Sequence, residues 1–293
     1  MIAWYYLVAI SAVLISAATI IEKYALKAQH ASAYSSDTTL LVAIISLALI
    51  PLANFHITLF ELLIMYVMSL TSTVTYLLTA RVYKHGDVSA ATPVLSTLPP
   101  IFTVMIAFFF LNEALVAVQY FAVGFLALLA YLILFSGKSQ KKGKYFERGL
   151  YKYYLLLTTI LMAVGAILTK YILSLGVSIF TMFVVIGLSM SFNMAMFMKA
   201  RYGGPKEMLR NLRMHPIPLI ATSLLIPFYR LTYYAAASVA YISLVSPLRQ
   251  GINIILVVLV GAVLFKERDI LRKVVLAVLM VVAVYFVVNP FAL

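Results

Sequence analysis

Two apolar segments determine how this chain folds: PVLSTLPPIFTVMIAFFFLNE at residues 93–113 and PLRQGINIILVVLVGAVLFKE at residues 247–267. Each begins at a proline and ends at a glutamate, and the two segments are offset by 154 residues. A second pair of features occurs in the same order, because Lys23-Tyr24 is matched by Lys170-Tyr171 at an offset of 147 residues. Matched features in one order indicate an internal duplication.

The composition places both copies in a membrane. The 293 residues are 65% hydrophobic and 11% charged, with a mean hydropathy of +1.06, whereas a soluble domain has roughly 45–50% apolar and about 25% charged residues. One bilayer span takes about 20 apolar residues. The chain is therefore predicted to be an all-α integral membrane protein. Ten apolar runs are predicted as spans, at residues 2–21, 39–53, 57–80, 88–110, 115–135, 153–173, 178–198, 216–237, 242–265 and 273–290.

The most polar stretch, residues 136–152, carries six lysines and arginines and lies between the fifth and sixth runs. It predicts a basic cytoplasmic linker between a first five-helix repeat, residues 1–135, and a second, residues 153–293. Because each repeat has an odd number of spans, the second copy crosses the membrane upside down relative to the first. Inverted repeats are typical of transporters, which bind substrate near the midplane and alternate access by rocking.

Several motifs resemble the EamA-type carriers of the drug/metabolite transporter superfamily. Gly86-Asp-Val-Ser-Ala-Ala-Thr-Pro93 and its continuation to Leu111-Asn-Glu113 are similar to the family's fourth span and acidic turn, and residues 243–247 and 264–267 repeat the pattern. Lys23 and Lys170 resemble the lysine that closes the first span of each half, and residues 204–213 resemble the basic connection between second and third spans. The resemblance covers essentially the whole chain and implies a ten-helix carrier of small organic metabolites, often an exporter.

The basic residues also predict an orientation in a cell membrane. Of the 22 lysines and arginines, 19 lie in the odd-numbered gaps between spans, and the other three are Lys170, Arg230 and Arg249. The positive-inside rule places those gaps in the cytoplasm and both termini outside. Many family members are expected to have both termini inside, so this chain departs from that pattern.

The net charge of +13 is explained by this surface distribution and does not indicate a nucleic-acid partner. The segment Pro205–His215 is predicted to form a basic amphipathic helix at the membrane surface, next to anionic lipid.

Two arginines lie inside predicted spans, where ionisable groups are costly and rare. On the functional hypothesis, Arg230 and Arg249 line a cavity and bind a carboxylate or phosphate, because the planar guanidinium binds such groups in a bidentate manner and stays charged. On the alternative, they reach the headgroups or pair with Glu22, Glu61 or backbone carbonyls. Neighbouring side chains are candidates for the same substrate-binding pocket: Tyr76, Tyr229, Tyr233, Gln250 and Asn253.

The remaining charged residues in or near spans have both structural and functional interpretations. Lys23 and Lys170 reach headgroups or, as their repeat symmetry suggests, belong to the substrate site. Glu22 and Glu61 are the candidate proton sites.

Four further residues mark the fold. Glu113 and Glu267 cap a following helix or hold a turn. Pro93 and Pro247 mark hinges, because a proline in a membrane helix frees a carbonyl and kinks the helix.

No metal, cofactor or enzymatic chemistry is predicted. The chain has no cysteine, and its four histidines lack metal-ligand spacing. No ATP-binding or nucleophile motif is present in the sequence. The sequence therefore favours a secondary-active or facilitative transporter of small amphiphilic metabolites with an acidic group, such as amino acids or organic anions. The alternative within transporters is a flippase or exchanger for lipid-linked phosphates, sugar phosphates or nucleotide sugars; a membrane enzyme and a non-transporting scaffold are the alternatives outside them.

Overall fold

A computed structural model describes residues 3–28, 31–85, 88–135, 149–202, 216–265 and 270–289. These residues form ten α-helices and one short 3-10 turn, with no strand in the same ranges. The helices are α1 (Trp4–Ala28), α2 (Ala31–Leu47), α3 (Leu59–His85), α4 (Val88–Phe110), α5 (Ala117–Phe135), α6 (Gly149–Ser174), α7 (Ile179–Tyr202), α8 (Pro216–Val239), α9 (Ile242–Phe265) and α10 (Ile270–Val288). The all-α prediction is confirmed, and each predicted span corresponds to one of these helices.

The second helix differs most from its prediction. The apolar run suggested residues 39–53, but α2 is Ala31–Leu47 and ends before Pro51. Its first half is polar and yet buried, including Ser35, Ser36 and Asp37. Hydropathy does not predict the first half of α2 as part of a span, because a helix that is surrounded by other helices does not need apolar side chains. Some hydroxyls of this half bond back to the helix, as when Thr38 Oγ1 donates to the Tyr34 carbonyl at 2.8 Å.

Four helices are long and apolar enough to cross a membrane, within Trp4–Leu26, Leu59–Val82, Tyr153–Ser174 and Ile179–Arg201. Shorter apolar stretches occur in α2, α4, α5, α9 and α10. Large apolar side chains also cover the outside of the protein: Phe109, Phe121 and Phe228 are each more than 60% exposed. An outer surface this apolar is compatible with a membrane protein and unusual for a soluble one.

Most contacts between the described helices have an equivalent when each helix of the first five is exchanged with the helix five places later; the α5–α9 and α6–α9 contacts have none of similar extent. Helix α1 packs against α8 and α9, as α6 packs against α3 and α4. Helix α3 packs against α7, as α8 packs against α2, and the pairs α2–α7, α4–α9 and α5–α10 contact each other directly. At the α2–α7 contact, a Cβ on Gly187 would lie 3.4 Å from Ser46 Oγ. The two sets of five helices are therefore interlocked, and each buries the inner face of the other.

Several sequence-based predictions fall outside the described residues. These are the linker at 136–148, the amphipathic segment Pro205–His215, Glu267, and the side chains of Lys23 and Pro93. Helix α6 begins at Gly149, four residues before the predicted start of the second repeat. Pro247 lies inside α9 and is buried, as expected of a residue that marks this helix.

Candidate functional site

A cavity of ≈ 280 Å³ lies between the two sets of helices. Helices α1, α3 and α4 contribute its first-half wall, and α6, α8 and α9 contribute its second-half wall, each wall being the lining residues of one half of the chain. Eight residues singled out from the sequence line it together: Glu22, Tyr76, Tyr229, Arg230, Tyr233, Arg249, Gln250 and Asn253. The volume is near the lower end of the range for ligand pockets, which suits a small solute.

The two walls are built from equivalent positions of the two halves. Adding 147 to a lining residue of α1, or 154 to one of α3 or α4, gives another lining residue in every case. The pairs in which a charge or an amide is gained or lost are Glu22 and Thr169, Tyr76 and Arg230, Leu95 and Arg249, Ser96 and Gln250, and Pro99 and Asn253. Two offsets obtained from the sequence thus relate every first-half lining residue to a lining residue of the second half. The cavity therefore lies at equivalent positions of the two halves.

Arg249 is held by aromatic rings. Its guanidinium carbon lies 4.3 Å from the centroid of the Tyr233 ring and 5.9 Å from that of Tyr229. Tyrosine rings attract a cation through their quadrupole, by about 0.5–2 kcal/mol. Within the described part of the chain these rings are its neighbours instead of a carboxylate, so the guanidinium keeps donors for a ligand.

Arg230 occupies a similar environment one helix away. Its Nη1 lies 3.6 Å from Met190 Sδ, a weak acceptor, and the ionisable groups near it are the tyrosines Tyr76, Tyr229 and Tyr234. Among the residues that the structure describes, it forms no ion pair with Glu22 or Glu61, two of the partners that the structural alternative named. A desolvated charge without a partner is destabilising, which makes Arg230 and Arg249 the strongest candidates for binding an anion.

Amide side chains extend the polar wall of α9. Asn253 accepts a hydrogen bond from Ser16 Oγ on α1, 2.7 Å from Asn253 Oδ1, and its Nδ2 donates to Gln250 Oε1 at 3.4 Å. The Ser16 contact joins α1 to α9. Gln250 also lines the cavity.

The first-half wall contains hydroxyl groups that the sequence analysis did not identify. Ser72, Thr75 and Thr79 of α3 and Ser96 of α4 all line the cavity. The sequence feature that could have identified the three α3 residues is their spacing, because positions 72, 75 and 79 lie on one face of a helix. Asp37 was also missed, because it lies in the polar half of α2 and is only 1% exposed.

Lys170 lies outside the cavity lining. Its Nζ donates to the carbonyls of Ala237 and Ala240, both at 2.8 Å, at the carboxyl end of α8. A cation at this end is favourable because the free carbonyls carry partial negative charge. The position supports the structural interpretation of this lysine over a substrate-binding one.

Glu113 caps a helix, but not the one that follows it. The carboxylate is buried and accepts hydrogen bonds from the Ile242 N–H at 3.0 Å, the Ser243 N–H at 3.0 Å and Ser243 Oγ at 2.6 Å. These groups begin α9, in the second half of the chain. Together, Glu113 and Lys170 hold the turn between α8 and α9 from both sides.

Glu61 also caps a helix. The Thr58 N–H donates to Glu61 Oε2 at 2.6 Å, and the Glu61 N–H donates to Thr58 Oγ1 at 3.2 Å, which is a capping box at the start of α3. It lies outside the cavity lining. Of the two candidate proton sites, only Glu22 lines the cavity. The described residues contain no group of three or more His, Cys, Asp or Glu side chains able to hold a metal ion.

Comparison with known proteins identifies the fold and nothing more specific. No family model matches the chain, and no curated protein matches it. A crystal structure of another protein superimposes with a TM-score of 0.72, covering 98% of this chain and 97% of that chain, with 12% sequence identity. The same helix arrangement has therefore been observed over the full length of another protein.

Proposed function

We propose that this chain is an EamA-type carrier that moves small solutes with an anionic group across a cell membrane by alternating access. The observation that carries the proposal is that two arginines line a cavity between equivalent walls and form no ion pair with a carboxylate of the described residues. In this proposal the ten helices are ten spans, arranged as two inverted five-helix repeats, and no catalytic step is involved.

The packing pattern supports alternating access. Most helix contacts have an equivalent after exchange of the two halves, and every first-half lining residue has an equivalent in the second-half lining. If the halves are inverted, a conformation open on one face has an equivalent open on the other, reached by exchanging the shapes of the two halves. Such carriers hold the substrate at the repeat interface and rock around it.

The chemistry of the cavity supports a small anion. A bound carboxylate or phosphate would supply the negative charge that Arg230 and Arg249 lack in the described structure, and a guanidinium binds such groups through two parallel hydrogen bonds. At about 30 Å³ per water molecule, a cavity of ≈ 280 Å³ has the volume of about nine waters. An amino acid or short organic acid fits this space better than a nucleotide sugar.

The test is solute flux in proteoliposomes that contain only this protein. Labelled amino acids, carboxylates, sugar phosphates and nucleotide sugars are offered one at a time, with empty liposomes as the control. We expect saturable counterflow of at least one small carboxylate. Flux of sugar phosphates or nucleotide sugars alone would favour the exchanger alternative, and movement of lipid phosphates between leaflets without solute flux would favour a flippase. Absence of any flux would contradict the carrier proposal.

The proposed orientation, with both termini outside, has its own test in this naturally cysteine-free chain. A single cysteine at Ser139, in the basic linker, is expected to resist a membrane-impermeant thiol reagent in intact cells and to react after permeabilisation. The matched variant is Ser178→Cys, in the short gap between α6 and α7, which is expected to react from outside. The reverse pattern would show that the termini are in the cytoplasm.

A further inference from the structure

The geometry points to a second subsite in the cavity, at Glu22 of α1, that holds a positive charge. This inference rests on the proposed carrier function and adds to it. The charge is either the ammonium group of a zwitterionic solute or a proton taken up together with an anionic one. Both would neutralise the same carboxylate.

The first argument is that charge is divided between two otherwise equivalent walls. At the three equivalent positions that carry charge, the first half has Glu22, Tyr76 and Leu95, and the second half has Thr169, Arg230 and Arg249. Thus the only carboxylate among the lining residues lies on the first-half wall, and both guanidinium groups lie on the second. A solute bound in the cavity therefore meets a carboxylate from the first half and guanidinium groups from the second.

The second argument is that Glu22 is surrounded by hydroxyl groups instead of cations. Tyr34 of α2 and Tyr76 of α3 are its electrostatic neighbours, and Thr79 lines the cavity one helical turn beyond Tyr76. On the other helices that pack against α1, the charged or titratable lining groups are Tyr229, Arg230, Tyr233, Tyr234 and Arg249. Within the described residues none of these forms an ion pair with Glu22.

The third argument is that two hydroxyls of this wall are buried without a hydrogen-bond partner among the described residues: Tyr76 Oη and Thr79 Oγ1. Buried polar atoms are nearly always paired with protein or water, and an unpaired one is destabilising. An ammonium group carries three N–H donors and no acceptor. A carboxylate with nearby hydroxyl oxygens therefore offers such a group the acceptors that it needs.

The experiment uses proteoliposomes with wild type and Glu22→Gln, which removes the charge and retains the shape. The probes are four pairs of an amino acid and the acid that lacks its ammonium group: alanine and propionate, aspartate and succinate, glutamate and glutarate, phenylalanine and phenylpropionate. If the subsite binds an ammonium group, wild type prefers the amino acid of a transported pair by about tenfold or more, and Glu22→Gln removes the preference. If it binds a proton, a transmembrane pH gradient drives transport of the simple acid in wild type and not in Glu22→Gln.

Two controls separate the charge of Glu22 from general damage. Glu61→Gln alters an acid outside the cavity and retains the capping box, so it is expected to behave as wild type. Glu22→Asp keeps the charge and is expected to retain part of the effect. Glu22→Gln that transports both members of each pair as wild type does, with the same response to a pH gradient, would overturn the subsite and leave the carrier proposal intact. Wild type that transports no probe would contradict both.

Discussion

Replacing Arg249 with glutamine is expected to weaken binding of a small carboxylate by about 100-fold, because hydrogen bonds to a charged group contribute about 1.5–3 kcal/mol. The effect should be large because the Tyr233 ring, 4.3 Å from the guanidinium carbon, holds the group without satisfying its N–H donors. Glutamine keeps hydrogen-bonding capacity and loses the charge. The measurement is the concentration of carboxylate that half-saturates counterflow, or the ligand-induced rise in melting temperature.

Two further variants identify which property of Arg249 matters. Arg249→Lys keeps the charge and loses the planar fork, so it should lose less affinity than Arg249→Gln. Arg81→Gln removes a cation of α3 that does not line the cavity and should leave affinity unchanged. Equal affinity in wild type and both Arg249 variants would show that the cavity arginines have a structural role. Arg230→Gln is expected to resemble Arg249→Gln, since both guanidinium groups face the same space.

Replacing Glu113 with alanine is expected to lower the stability of the folded protein by about 3 kcal/mol, because three donors at the start of α9 lose a charged acceptor. Two of them are backbone N–H groups, which are costly to bury unpaired. For a large domain, this corresponds to a fall in melting temperature of about 6–12 °C. Melting of the purified protein in detergent gives the comparison with wild type.

Glu61→Ala is the matched control for Glu113→Ala. It also removes a carboxylate that caps a helix, but this capping box at Thr58 is exposed, and its loss is expected to amount to about 1 kcal/mol. Glu113→Gln retains a single carbonyl oxygen as acceptor and should lie between wild type and Glu113→Ala. Equal melting temperatures for Glu113→Ala and Glu61→Ala would contradict the assigned role of Glu113 in holding α9 to the first half.

Part of the candidate site was predictable because the chain contains two copies of one pattern. Arg230 and Arg249 stand out in the sequence as charges inside apolar runs, and Tyr76 follows from Arg230 by the repeat offset. Lys170 stands out for the same reason, but it bonds the end of α8. Composition predicts that Arg230, Arg249 and Lys170 lie in spans. It does not distinguish a side chain that faces a cavity from one that bonds a helix end.

The polar residues of α2 and the acidic residues show where local patterns lose information. The hydropathy of a segment depends only on neighbours in sequence, so the sequence predicts that Ser35, Ser36 and Asp37 lie between two spans. In the structure they belong to α2, which packs against α3, α7 and α8. Glu22 and Glu61 were equivalent candidates in the sequence. The structure distinguishes them, because Glu22 lines the cavity and Glu61 caps the start of α3.

The sequence by itself determined the helical class, the number of apolar runs and the offsets that relate the two halves, because these depend on composition and spacing along the chain. Tertiary structure alone decided which faces meet. It joined Glu113 to α9, 129 residues away, and placed Glu22 and the arginines in the lining of one cavity. The physical reason is that the direction of a side chain depends on the rotation of its helix and on its neighbours. Those are set by the packing of all ten helices together.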